Sequence, residues 1–427
     1  MKKNKNIFLG KKILIYGLGK SGVSTFKFLR NKANIYLFDD NLKKNQKFIS
    51  LNKIPKKNFD AIIVSPGIDI LNCKLSKFLK KNFNKIYTDL DIFYSYFDNE
   101  SISITGTNGK STTAKILHNV LLDQKKDVRL VGNIGNPLLS EKKINKKTIF
   151  VIEASSYQLD YSKIFSSKYA MILNISVDHI ERHRNLKNYV NAKFKLLDSQ
   201  TKNCVAFVKK NDYLIKKKLN SKNFRSKIVK VDTKKSNSFF KDIKNEYFLT
   251  ETNKENLSFI FEISKKLKLK NNLLLKTINK FKGLKYRQQI ILKKKNLIVI
   301  NDSKSTSFAS SIGILKNNQN IYWIIGGIHK KGDKLNLPKK YFKKIKAFVF
   351  GKDKKFFNNE LKGKIVYENF TNLEFAFKKI IKLIKKDRSP ERTILFSPSA
   401  ASFDSFKNFE ERGLYFNKLS KKYLNGI

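Results

Sequence analysis

The sequence predicts an α/β protein of three domains, each a largely parallel sheet covered by helices. Three observations carry this. Short apolar runs of strand length recur from Lys12 to Phe396, separated by helical patterns and polar loops, and such alternation yields parallel sheets. Two glycine-bearing loops, Gly17–Gly22 and Gly106–Gly109, each stand between an apolar run and a helical pattern. The length of 427 residues exceeds what one core usually organises.

The first domain is expected over residues 1–97, with a Rossmann-like fold. Lys12–Tyr16, Asn34–Phe38 and Ala61–Val64 read as strands, the last closed by Ser65-Pro66-Gly67. Ser21–Leu29 reads as a helix, with Val23, Phe26 and Leu29 apolar. A boundary falls near Phe97-Asp98-Asn99-Glu100. The central domain, 98–283, is expected to be of P-loop ATPase type with a parallel sheet. Its strands are Ser101–Ile104, Thr148–Ile152, Ala170–Leu173 and Val205–Val208, and Ala114, Ile116, Leu117, Val120 and Leu121 trace a helix. Helices are predicted over Asn253–Leu267 and Asn271–Lys280, while the Lys/Asn-rich stretch Lys209–Asn245 yields no assignment. The turn Gly283-Leu284-Lys285-Tyr286-Arg287 marks the second boundary. The third domain, 284–427, is again Rossmann-like, with strands at Leu297–Asn301, Ile321–Ile325, Ala347–Phe350 and Thr393–Phe396. No short-period repeat is visible.

A hydrophobic content of 41% supplies real cores and argues against global disorder. No apolar run approaches the ~18 residues that span a bilayer. The basic start Met1-Lys2-Lys3-Asn4-Lys5 is followed by an apolar stretch cut by Lys11 and Lys12, so no export signal is read. Cys73 and Cys204 are too few for a disulfide framework and fit a reducing cytoplasm. The net charge of +56 invites a nucleic-acid reading. The excess is nearly all Lys, scattered through every segment beside Asn and Ile, as an AT-rich genome would produce. No nucleic-acid or membrane partner is expected, although the positive field favours anionic ligands.

Thr105-Gly106-Thr107-Asn108-Gly109-Lys110-Ser111-Thr112 joins strand to helix as a phosphate cradle. Backbone N–H groups and the helix N-terminus hold phosphate oxygens, Lys110 neutralises them, and the hydroxyl faces Mg²⁺. The spacing is G-x-x-G-K-S, shorter than the standard P-loop. Gly17-Leu18-Gly19-Lys20-Ser21-Gly22 matches G-x-G-x-x-G, with Asp39 closing the next strand about 20 residues on. That pattern suits NAD, another nucleotide diphosphate, or a tight structural turn. Glu153 ends a strand near the cradle, either as a Mg²⁺ ligand or as a helix N-cap. His179, in Asn174-Ile175-Ser176-Val177-Asp178-His179, follows the next strand and could ligate a metal or bond a substrate oxygen. Lys193 has no distinguishing context of its own. In the third domain Asn301–Thr306, Gly326–Lys330 and Ser397–Ser402 each follow an apolar strand and suggest one binding surface.

Together these motifs resemble the Mur ligases, ATP-dependent amide-forming enzymes of peptidoglycan precursor synthesis. The phosphate loop, Glu153 with Ser155-Ser156, the Asn174–His179 run and Asn301-Asp302-Ser303-Lys304 carry the resemblance. Gly132-Asn133-Ile134-Gly135-Asn136-Pro137, Ser397-Pro398-Ser399-Ala400-Ala401-Ser402-Phe403-Asp404 and the following Phe406–Gly413 are similar to the members that add D-glutamate. The resemblance implies an ATP-dependent ligase joining D-glutamate to UDP-N-acetylmuramoyl-L-alanine through an acyl phosphate. It implies that Gly106, Thr107, Asn108, Gly109, Lys110, Ser111 and Thr112 hold ATP, with Asn253 near adenine and Arg287, Asp302 and Lys304 on the nucleotide. Two Mg²⁺ ions are implied, the first on Ser111 (or Thr112) and Glu153, the second on His179 and Lys193, the latter carrying a carbamate made from CO₂. Lys20, Ser21, Asp39, Gly67 and Asn133 would line the uridylated substrate, and Thr306, Lys330, Ser402 and Phe409 would hold D-glutamate. Lys110, His179, Lys193 and Lys330 are the implied catalytic set, in a cytoplasmic monomer. Two departures stand out: Thr250-Glu251-Thr252-Asn253 replaces the family's Gly-x-His-Asn, and Asn41 stands where a relative may carry Arg. Other readings are an NAD-dependent oxidoreductase using Gly17–Gly22, a non-catalytic ATP- or nucleic-acid-binding module, and a Mur-type ligase adding a different amino acid.

Overall fold

Three sheets order the chain. The computed structural model describes residues 6–41, 48–234, 238–248, 251–294 and 296–425; Met1–Lys5 and the departure at Thr250 lie outside them. The residues group into two compact units, Met1–Asn245 with Asn253–Phe281, and Glu246–Thr252 with Lys282–Ile427.

The first unit carries two sheets. Strands β1 (Lys12–Tyr16), β2 (Asn34–Phe38), β3 (Ala61–Val64) and β4 (Ile86–Tyr87) form one, in the order β2-β1-β3-β4. All its pairings are parallel, with Ile13 opposite Ile35 on one side and Ala61 on the other. Strands β5 (Ser101–Thr105), β6 (Val128–Gly132), β7 (Ile149–Glu153), β8 (Tyr169–Ile172), β9 (Val205–Lys209) and β10 (Lys227–Val231) form the other, in the order β10-β9-β8-β5-β7-β6. It too is parallel throughout. The central strands β1, β3, β5 and β7 are buried over most or all of their length, which is why they read as apolar runs. The unassigned stretch after Lys209 holds a helix (Tyr213–Ser221) and the edge strand β10.

One core runs through both sheets, including Ile13, Ile63, Phe93, Phe150, Ile172 and Phe194. A buried carboxylate also ties them together. Asp91, on the helix Asp89–Tyr96, is fully buried. Its Oδ1 accepts from the Ser162 hydroxyl (2.9 Å) and the Lys163 (2.8 Å), Ile164 (2.8 Å) and Phe165 (3.2 Å) backbone amides. Its Oδ2 accepts from the Thr88 amide at 2.8 Å, capping its own helix. A buried charge is tolerable when donors surround it in this way.

The second unit carries the third sheet. Strands β11 (Gln289–Lys294), β12 (Leu297–Asn301), β13 (Ile321–Gly326), β14 (Ile345–Phe350), β15 (Val366–Asn369) and β16 (Arg392–Phe396) run in the order β11-β12-β16-β13-β14-β15. Only β11 is antiparallel. Helix Leu373–Lys386 packs Phe377, Ile380 and Ile384 into one core layer, and helix Phe409–Leu424 adds Phe416 and Leu419. No described helix is long and apolar enough to cross a membrane.

Candidate active site

In parallel sheets ligands gather beyond the carboxyl ends of the strands. Strands β8, β5 and β7 are neighbours, so the loops after them, each singled out from sequence, meet at one place. The helix Lys110–Asp123 starts at Gly109, whose φ is 83°. A Cβ on Gly109 would sit 2.2 Å from Asn256 Oδ1, so the chain passes too close there for any side chain. The loop is held from the β8 side. The Thr107 amide donates to the Asn174 carbonyl (2.9 Å), the Asn108 amide to Asn174 Oδ1 (2.8 Å), and the Ser176 amide to Thr107 Oγ1 (3.0 Å).

Ser111 Oγ donates to Glu153 Oε2 at 2.7 Å, and Asn133 Nδ2 donates to Glu153 Oε1 at 3.0 Å. Glu153 is the last residue of β7 and is 1% exposed. The neighbouring helix Ser156–Tyr161 is capped by Ser155, whose side chain accepts from the Gln158 amide. The N-cap alternative for Glu153 therefore falls away. Glu153 and Ser111 form a pair of hard oxygens at the helix N-terminus, the donor type that Mg²⁺ takes.

Lys110 Nζ folds back onto the Gly106 and Thr107 carbonyls at 2.9 and 2.7 Å. Lys193, on the helix Leu186–Asp198, reaches the same Gly106 carbonyl at 2.7 Å. Lys193 is 1% exposed. Burial, reinforced by the nearby Lys110 charge, holds its amine far below the usual lysine range. Its ammonium form is thus disfavoured in the folded protein.

His179 has φ 54°, and its Nδ1 meets the Tyr157 hydroxyl at 2.7 Å. Burial keeps the Tyr157 phenol protonated. Behind this pair His183 is buried, with Nε2 3.0 Å from Ser156 Oγ, and burial followed by the Arg182 charge lowers its imidazole to about 4. Among the described residues no group of three His, Cys, Asp or Glu side chains could hold a metal. His179 has two carboxylates beside it, Asp178 Oδ2 at 3.4 Å from Nε2 and Glu181 Oε1 at 3.6 Å from Nδ1. Asn253 is buried, its Oδ1 3.4 Å from Asn256 Nδ2, one turn from the residue that abuts Gly109.

The first sheet presents its own loops. A Cβ on Gly22 would lie 1.9 Å from the Gly17 carbonyl oxygen, so the helix packs against the strand end as the fingerprint requires. Asp39 stands just past β2, beside the glycine loop. Its oxygens accept the Leu18 amide (2.6 Å) and the Asn41 amide (3.0 Å), so it shapes the loop itself. Lys20 and Gly67 are exposed and Ser21 is half-buried, hydrogen-bonded to Asp89.

In the second unit, β12, β16 and β13 are neighbours, and the three polar loops after them converge as expected. Asp302 accepts from the Ser397 hydroxyl (2.8 Å) and the Gln288 amide (3.1 Å), and burial lifts its carboxyl to about 7. Lys304 Nζ lies over the Phe409 ring at 4.0 Å. Ser402 is buried; Arg287, Thr306, Lys330 and Phe409 are half-buried. Arg412 had no signal in the sequence beyond a helical register. It is 1% exposed and donates to the Ser303 carbonyl (2.7 Å) and the Ala400 carbonyl (2.9 Å), pinning two of the loops together. Thr252 Oγ1 lies 2.9 Å from where a Cβ on Gly313 would stand, which places that departure against a helix of the third sheet.

Comparison with known proteins then adds identity. The model of the Mur ligase middle domain matches residues 104–275. A UDP-N-acetylmuramoylalanine--D-glutamate ligase of Rickettsia prowazekii is 35% identical over 98% of this chain and 99% of its own length. One from Buchnera aphidicola is 34% identical over 97% and 99%. Among solved structures, MurF from Acinetobacter baumannii aligns with a TM-score of 0.60 at 17% identity, covering 88% of this chain and 89% of that one. UDP-N-acetylmuramate-alanine ligase MurC from Thermotoga maritima aligns at 0.56 and 18%, covering 98% and 100%. At such identities the structures speak for the three-domain α/β fold.

Proposed function

The chain belongs to the Mur ligase family, and from this premise we infer that it joins D-glutamate to UDP-N-acetylmuramoyl-L-alanine, driven by ATP, in peptidoglycan precursor synthesis. The near full-length likeness to ligases of that name supports the substrate pair. The observation that carries the chemistry is the 2.7 Å contact between Ser111 and Glu153 beside the phosphate loop. It is what a triphosphate with its magnesium requires. The dinucleotide reading of Gly17–Gly22 loses its ground, because relatives spanning 98% of the chain are named as ligases.

The reaction couples two anions. The substrate's terminal carboxylate attacks the γ-phosphorus of ATP, giving an acyl phosphate and ADP. The amino nitrogen of D-glutamate then attacks the acyl carbon, and phosphate leaves from a tetrahedral intermediate. Lys110 and the N-terminus of its helix offset the phosphate charge. Arg287, Asp302 and Lys304 are assigned to the nucleotide, and Asn253 to adenine. Thr306, Lys330, Ser402 and Phe409 are assigned to D-glutamate, with Lys330 meeting a carboxylate. Lys20, Ser21, Asp39, Gly67 and Asn133 are assigned to the uridylated substrate, with Asp39 also bracing the loop through the Leu18 amide.

ATP and Mg²⁺ are the cofactors. Ser111 and Glu153 fit the first ion, as hard oxygens already in contact. His179 and Lys193 are assigned to a second. A lysine ligand makes sense only after its amine adds to CO₂ as a carbamate and releases a proton. Burial supports that step by shifting the Lys193 amine towards its neutral form. When bound, Mg²⁺ supplies charge neutralisation at the phosphates. The reading includes domains at 1–97, 98–283 and 284–427 and a monomer working in the cytoplasm. Phosphate release with ATP, UDP-N-acetylmuramoyl-L-alanine and a panel of amino acids tests it: turnover is expected with D-glutamate, and its absence would refute the assignment.

A further inference from the structure

A buried run of serine hydroxyls lies beneath the three loops of the third sheet. Ser397 Oγ donates to Asp302 Oδ2 at 2.8 Å. Ser397 Oγ also meets Ser311 Oγ at 2.6 Å. Ser311 Oγ in turn meets Ser399 Oγ at 2.7 Å and Ser305 Oγ at 2.7 Å. Ser311, Ser397 and Ser399 have no exposed surface, and Ser305 is 3% exposed. Ser311, on the helix Phe308–Asn317, is the one residue that touches the other three serines.

The direction of these bonds is constrained. A hydroxyl has one proton and two lone pairs. Ser397 gives its proton to Asp302 Oδ2. The Ser397 oxygen then accepts from Ser311, which has given its only proton. Ser311 must therefore accept from both Ser305 and Ser399, which fills its two lone pairs. One carboxylate thus orients four hydroxyls on three segments. Two of those hydroxyls sit beside the amino-acid contacts: Ser305 precedes Thr306, and Ser399 lies in the loop that ends at Ser402. Ser399 has φ 54°, a conformation that costs a serine energy and must be held by its partners.

We propose that Ser311 is a positioning residue for the amino-acid pocket, its hydroxyl being the junction that fixes the Ser305–Thr306 and Ser399–Ser402 segments to Asp302. It acts through these segments without touching substrate. This rests on the assignment of Thr306 and Ser402 to D-glutamate.

The test is steady-state phosphate release by the full chain, with each substrate varied in turn. Ser311→Ala is expected to raise KM for D-glutamate about tenfold, the effect of one buried hydrogen-bond junction. KM for UDP-N-acetylmuramoyl-L-alanine should not move. Ser311→Thr, which keeps the hydroxyl, should restore KM for D-glutamate. Ser311→Ala with an unchanged KM for D-glutamate, an equal rise for all substrates, or no rescue by threonine would overturn the proposal. Should Ser311→Ala fail to fold by near-ultraviolet circular dichroism, Ser305→Ala cuts the same chain one link nearer Thr306 and is judged by the same KM values. Wild-type protein without D-glutamate-dependent release would instead refute the ligase reading itself.

Discussion

Gly109 holds φ 83° where the phosphate loop meets its helix, and an alanine Cβ there would lie 2.2 Å from Asn256 Oδ1. Two penalties follow from Gly109→Ala. The left-handed conformation costs an L-residue about 1–2 kcal/mol. The overlap adds about 1–3 kcal/mol, because Asn256 is 2% exposed and has little room to turn away. If the loop gives way, ATP binding bears the sum, roughly 2–5 kcal/mol, a weakening of at least about 30-fold. Asn256→Ala removes the obstacle and leaves the backbone term. The double variant Gly109→Ala/Asn256→Ala should therefore recover to within about 5–30-fold of Asn256→Ala alone. The assay is phosphate release at saturating acid and D-glutamate, with ATP varied. A Gly109→Ala protein with wild-type KM for ATP would refute the reasoning. So would a double variant no better than Gly109→Ala.

Three further outcomes are expected. Lys193→Ala should lower kcat by at least about 100-fold, as loss of a metal-site group does, with partial rescue by added acetate; full activity without rescue would exclude a carbamate there. His183 stays neutral in the fold down to about pH 4, whereas in the unfolded chain it gains a proton near its ordinary value. The unfolded state then binds more protons as pH falls from about 6.5 to 4, so stability is complete above that window and drains away within it. His183→Gln should flatten this part of the Tm–pH curve, and an unchanged slope would show that another group sets it. Asp91→Ala strands the amides of Lys163, Ile164 and Phe165, and should lower the unfolding free energy by about 3 kcal/mol or more in a urea titration; an unshifted midpoint would mean those donors find other partners.

The central strands were legible because burial on both faces leaves an apolar run. The strands that escaped sequence reading are β4, β6, β10, β11 and β15, and all five lie at a sheet edge. Edge strands are half-solvated and tolerate charge, so Lys227-Ile228-Val229-Lys230-Val231 and Val366-Tyr367-Glu368-Asn369 carry no such run. The placement of the phosphate loop, Glu153 and the three loops of the third sheet at strand ends was legible, because the apolar runs before them mark the strands. Asp39 was legible by its spacing, but spacing does not reveal that it also accepts the Leu18 and Asn41 amides. Tyr157, Arg412 and Ser311 were missed because their partners His179, Ser303 and Ser397 lie 22 to 109 residues away in sequence. Such pairings leave no local pattern.

The carboxylate of Asp91 has a consequence for how the chain is made. Its helix closes the first sheet, yet its Oδ1 is satisfied only by residues 162–165, some seventy positions downstream. During synthesis at about 5–20 residues per second, that stretch emerges several seconds later. Until then the nascent N-terminal segment lacks the donors of Oδ1 and has only the local Thr88 contacts on Oδ2. The Oδ1 contacts can therefore form only after β5, β7 and the helix Ser156–Tyr161 have been synthesised.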